Sequence, residues 1–152
     1  MGAILAFALA TILAFVAPPK AAAATRLHIV ATTTDIRALI TRIAGDRADV
    51  ESLAAPSQDP HSLELKSGQL VQLRSASLVV RIGLDHEPWL ARVPIQAPVL
   101  NLSQNVRLLQ TETPRLRVER QSHVHAFGNP HYWLDPENAK AMAIAIPGRW
   151  VN

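Results

Sequence analysis

Leu27-His28-Ile29-Val30-Ala31-Thr32, followed at once by Thr33-Thr34-Asp35-Ile36, is the stretch that decides how this chain is read. The first six residues are rich in branched apolar side chains and predict a buried strand. Thr33 and Thr34 are good helix N-caps. Behind them Ile36, Leu39, Ile40 and Ile43 fall on one face of a helix running from about Asp35 to Ala44, which Gly45 ends. The pattern then repeats. Ala48 to Leu53 predicts a second strand, and Ala54 to Leu65 a loop marked by Pro56 and Pro60. Ser67 is placed to cap a helix through Arg74 with Leu70, Val71 and Leu73 as its apolar residues. Leu78 to Ile82 predicts a third strand, Gly83 to Val93 a loop or short helix, and Pro98 to Leu102 a fourth strand. Strands alternating with helices build βαβ units, so the expected fold is α/β with a four-stranded, mostly parallel sheet.

The 152 residues suffice for one domain, and 49% hydrophobic against 18% charged residues supports a packed core. The net charge is only +3, and Arg115, Arg117 and Arg120 form the densest basic group. That is too dispersed for a nucleic-acid-binding face. No cysteine is present, which excludes disulfides, thiolate catalysis, Cys-based zinc fingers and a lipid-modified N-terminal cysteine. Ala3 to Ala17 is an uncharged apolar stretch followed by Pro18, Pro19 and Lys20. Small residues at Ala22 and Ala24 then make an Ala-x-Ala cleavage pattern. Residues 1–24 are therefore expected to be a signal peptide, with the mature chain starting at Thr25 and exported to the periplasm without a lipid anchor.

The six histidines are the chemically pointed residues. His61, in S-Q-D-P-H-S, follows the second predicted strand; His86, in G-L-D-H-E-P-W, follows the third; His123, His125 and His131 follow the fourth. In an open parallel sheet, ligands bind at the carboxyl ends of the strands. Five histidines thus leave the binding edge, and His28, inside the first strand, is structural. Zinc accepts neutral imidazole nitrogens in a tetrahedral set, which loops from separate βα units can supply. A lone loop histidine is more often simply exposed, so the neighbours matter. Pro60 stiffens the backbone before His61, and Asp59 is placed to orient its imidazole. In Asn129 to Asn138, N-P-H-Y-W-L-D-P-E-N, Asp135 is an N-cap before Pro136 at the first helical position, and Glu137 sits in the positive first turn. Asp135 thereby has a structural role and is not assigned to metal.

With D-P-H-S at Asp59 to Ser62, P-H-Y-W-L-D-P at Pro130 to Pro136 and the opening I-V-A-T-T-T-D-I, the chain resembles the cluster A-I (zinc/manganese) solute-binding proteins of ABC transporters, from about Leu27 to Ala143. The resemblance implies that His61 and His131 are the metal ligands of an N-terminal lobe. It also implies two (β/α)4 lobes joined by a long helix with the ion between them. Zn²⁺, with Mn²⁺ as the alternative, is the implied cargo, and a membrane permease the implied partner.

The family takes its other ligands from a C-terminal lobe, and here the helix opened by Asp135 meets Pro147-Gly148. The expected organisation is a metal-binding lobe over residues 25–146 and an aberrant or truncated tail over 147–152, with metal capture impaired by the missing lobe. His123 and His125 lie where zinc-type members carry a His-rich loop and are candidates for an auxiliary collecting site. His86 matches no ligand carried over from the family and stands as a further auxiliary candidate. Two other functions remain open. A zinc-dependent hydrolytic enzyme lacks support from any H-E-x-x-H, G-x-S-x-G or phosphate-loop motif. The third possibility is a gene fragment without function.

Overall fold

The structure is a computed structural model and describes residues 25–108 and 129–146. Four parallel strands form one sheet: β1 (Leu27–Ala31), β2 (Ala48–Ser52), β3 (Leu78–Arg81) and β4 (Val99–Asn101). Three helices accompany them: α1 (Thr34–Ala44), α2 (Ser67–Ser75) and α3 (Pro136–Ala145). The strand order is β2-β1-β3-β4. The chain steps outward from β1 to β2, then crosses back over β1 to β3. The sheet therefore changes direction between β1 and β3, where the loops leaving the strands diverge and open a crevice.

Both faces of the sheet are covered, which is why β1 and β3 are apolar at nearly every position instead of alternating. On one face Ile29, Ala31, Val80 and Ile82 pack against Ile36 and Ile40 of α1, Met142 of α3, and Tyr132. On the other, Val30 and Val79 meet Leu53, Ala54, Leu63 and Leu73 of α2. Among the described residues no helix is long and apolar enough to cross a membrane.

The predicted elements are present with shifted ends. α1 starts at Thr34, with the Thr33 side chain accepting from Ile36 N–H, and Gly45 closes it at φ +54°. α2 differs from expectation in two respects. Ser67 is its first helical residue, not its cap; the chain turns in at Lys66, whose N–H donates to Gln69 Oε1 at 2.7 Å. Gln69 Nε2 in turn donates to Leu53 O at 2.6 Å and ties the helix to the end of β2. Val71 is exposed, because a helix this short presents only one narrow stripe to the sheet and Leu73 occupies it. Asp135 caps α3 as the sequence suggests, accepting from Glu137 N–H at 3.0 Å with Pro136 behind it. The predicted signal peptide (1–24) and tail (147–152) lie outside the described residues, as do His123 and His125.

Candidate metal centre

Three segments converge at the crevice. The one after β2 begins by extending the sheet, with Leu53 N–H donating to Ala31 O and Ala54 N–H to Thr32 O. Its tip is a single turn of 3₁₀ helix, Pro60–Ser62. Asp59 accepts from His61 N–H and from the Ser62 hydroxyl, each at 3.0 Å. The Trp89 indole N–H donates to Pro60 O at 2.7 Å. His61 is thus held from its own turn and from the segment after β3.

That segment has an unusual backbone. Gly83, Leu84 and Asp85 all have positive φ, at +85°, +54° and +58°. Left-handed geometry at two consecutive non-glycine residues costs about 1–3 kcal/mol each and persists only where the surroundings impose it. At Gly83 a Cβ would also run into the side chains of Asn101 and Ser103, which would have to move. Glu87 holds the loop in this shape. Its fully buried carboxylate accepts from the Thr32 hydroxyl at 2.6 Å, from Ile82 N–H at 2.8 Å and from Gly83 N–H at 3.0 Å; Arg81 Nε lies 3.8 Å away. His86 N–H folds back onto Gly83 O at 3.0 Å. The result places the His86 imidazole inward, with 3% of the residue exposed.

The third segment carries His131. Asn129 Oδ1 accepts from its backbone N–H at 2.9 Å and lies 3.0 Å from its Nδ1. In the tautomer in which Nδ1 donates to Asn129, the Nε2 lone pair is left for a metal, the usual arrangement of a ligating histidine. Next to it the Tyr132 hydroxyl donates to Ile82 O at 2.6 Å in the core. Burial pushes the Tyr132 phenol well above its ordinary pKa, with the Glu87 carboxylate adding to the rise and Arg81 opposing it. Asn138 Nδ2 donates to Tyr132 O and Arg107 O, which pins the turn to α3.

His61, His86 and His131 line one open cleft of about 240 Å³, with Thr33, Asp35, Asp59 and Trp133 among its other walls. The lining contains two carboxylates and neither Lys nor Arg, which favours a cation. His86 is the ring that both others approach. Its centroid is 4.5 Å from that of His61 and 6.1 Å from that of His131, while Trp133 packs 5.3 Å from it and 5.2 Å from His131. Two imidazoles bound to one tetrahedral zinc have centroids roughly 5 Å apart, so these spacings suit a shared ion after small ring movements. As they stand, the described side chains do not yet converge as a ready-made group of three metal-ligating residues. A larger shallow depression on the outer side of α1, beside Arg37 and Arg42, contains no histidine and is unrelated to this chemistry.

Of the sequence-predicted residues, then, His61 and His131 share the cleft, and His86 sits deepest in it. His28 points elsewhere, with Nε2 3.0 Å from Glu51 Oε2 and Nδ1 3.1 Å from Ser75 O, in the structural role expected. Sequence reasoning passed over Glu87, Trp89 and Asn129. Their value lies in contacts with Thr32, Pro60 and His131 that neither periodicity nor motif displays.

A parallel α/β lobe here brings histidines from three loops to one crevice lined by two carboxylates. The chain belongs to the ZnuA family, described as zinc-uptake complex component A, periplasmic, whose family model matches residues 29–151. It is 28% identical over 119 residues to the iron-binding protein YfeA of Yersinia pestis, covering 76% of this chain and 36% of YfeA. It is also 28% identical over 148 residues to the high-affinity zinc uptake system protein ZnuA of Yersinia pestis, covering 78% of this chain and 45% of that protein. A crystal structure of ZnuA matches with a TM-score of 0.68 at 26% identity, over 83% of this chain and 46% of that one. The chain thus spans less than half the length of these relatives, in keeping with a single lobe. The family comprises metal-binding components of transporters, not enzymes, so the hydrolase reading falls away.

Proposed function

We propose that this lobe captures a divalent transition metal, zinc foremost, in the periplasm for delivery to the permease of an ABC importer, with His61 and His131 as ligands. The observation that carries this is the meeting of the His61 and His131 loops in one cleft lined by Asp35 and Asp59 and free of Lys and Arg. Imidazole donors suit zinc better than manganese, whose preferred ligands are oxygen-rich. The relationship to a high-affinity zinc uptake protein supports the same choice, while that to the iron-binding protein YfeA makes iron the second metal to test. His123 and His125 act at most as an auxiliary collecting pair, and residues 1–24 direct export.

Calorimetry with zinc on His61→Ala, His131→Ala, His123→Ala and His125→Ala tests the assignment. Losing a group that merely orients a ligand costs metal sites about 10–100-fold in affinity, so removing a ligand itself is expected to cost at least about 100-fold at His61 and His131. The other two variants should change little. Equal losses at all four positions would mean diffuse histidine binding and would end the assignment.

A further inference from the structure

His86 is the least exposed of the three histidines, and its ring centroid lies 4.5 Å from that of His61 and 6.1 Å from that of His131. Packing alone does not account for the way it is held. Leu84 and Asp85 adopt left-handed backbone immediately before it, and Glu87 immediately after it uses a buried carboxylate to fasten Ile82 N–H and Gly83 N–H. A loop whose only task was to leave β3 would relax out of that conformation, whereas strain held in place beside a cleft points to a positioned side chain. The same clamp reaches Thr32 at the end of β1, so His86 is fixed relative to the switch point of the sheet.

We infer that His86 is a third protein ligand, so that this lobe presents three imidazoles to one face of the ion and leaves one tetrahedral position open. The inference rests on the reading of His61 and His131 as ligands. His131 is the exposed member and makes the closing movement, since its 6.1 Å spacing to His86 is the longer of the two. A face of three neutral nitrogens adds selectivity. It fits zinc and other imidazole-preferring ions and discriminates against manganese, which favours carboxylate, carbonyl and water oxygens. It also means that the lobe by itself holds zinc with three protein bonds instead of two.

The test uses the full chain loaded with zinc and X-ray absorption spectroscopy to count the imidazoles bound to the ion, alongside zinc and manganese affinities of wild type and His86→Phe, which keeps an aromatic ring in the same space. Three imidazoles per zinc in wild type and two in His86→Phe are expected, with zinc affinity down at least about 100-fold and manganese affinity changed much less. Two imidazoles in wild type would overturn the inference, and that measurement decides it even if His86→Phe fails to fold. A folded His86→Phe that binds zinc within about threefold of wild type would also overturn it, because loss of a ligand costs far more. If in that case His61→Ala and His131→Ala still lose zinc, the two-ligand reading stands without its third member. If neither of those variants loses zinc, the underlying reading fails as well.

Discussion

Replacing Glu87 by alanine should unfasten the crevice from inside. Its carboxylate takes three donors, the Thr32 hydroxyl at 2.6 Å and the N–H groups of Ile82 and Gly83 at 2.8 and 3.0 Å, and all three bonds are buried. Each donor left without a partner costs roughly 1–3 kcal/mol, and one relieved by relaxation costs less, so a loss of about 3–5 kcal/mol is expected for Glu87→Ala. Arg81 Nε, 3.8 Å away and beyond hydrogen-bond distance, contributes less than the three short bonds. Against a total stability of about 5–15 kcal/mol for a domain, that is a large fraction. Glu87→Gln keeps one oxygen for Thr32 and Ile82 but turns an amide toward Gly83 N–H, so about half the loss is expected. Urea denaturation followed by circular dichroism measures both. Zinc affinity should fall in the same order, because Leu84 and Asp85 relax once the clamp opens and His86 moves with them. A Glu87→Ala loss below about 1 kcal/mol, or Gln and Ala variants of equal stability, would refute the claim that this carboxylate holds the loop.

Two further outcomes follow from the same contacts. Trp89→Phe removes the indole N–H that reaches Pro60 O at 2.7 Å while keeping the ring, so stability should fall by about 1 kcal/mol. Zinc affinity should fall with it as the His61 turn loosens, and an unchanged affinity by calorimetry would show that the turn is held by Asp59 alone. Tyr132 is the chain's one tyrosine, so absorbance of the phenolate reports a single site. Because burial raises its pKa when folded, the folded state keeps a proton that the unfolded state releases above about pH 10, and stability should drop as the pH rises beyond that point. Phenolate should appear together with unfolding. A midpoint near pH 10 in the native protein would contradict the buried position.

The site's geometry depends on an order of strands that no local segment specifies. With β1 at an inner position and α1 and α2 on opposite faces, the loops after β1, β2 and β3 open onto a common crevice. Had β3 been laid down beyond β2, the loop carrying His86 would leave a different part of the edge. Right-handed crossovers and the need to bury the apolar faces of both α1 and α2 select the observed arrangement. The same packing brings the Tyr132 hydroxyl to Ile82 O and so delivers His131 to that edge from far along the chain.

What the sequence by itself determined was local. The strand at Leu27–Ala31, the cap at Thr33, the stop at Gly45 and the Asp135-Pro136 helix start rest on side chains acting within a few residues of themselves, and those signals survive without knowledge of the fold. The D-P-H-S and P-H-Y-W-L-D-P motifs likewise singled out His61 and His131 through their resemblance to a metal-binding family, and both are local stretches of sequence. Only the tertiary structure decided that His86 lies beside both of them, that Glu87 is a buried clamp and not a surface charge, and that Ser67 begins a helix that Gln69 closes from within. Each of those results depends on partners brought near by strand order and burial, and a charged or imidazole side chain looks the same in sequence whether water or Thr32, Ile82 and Gly83 surround it.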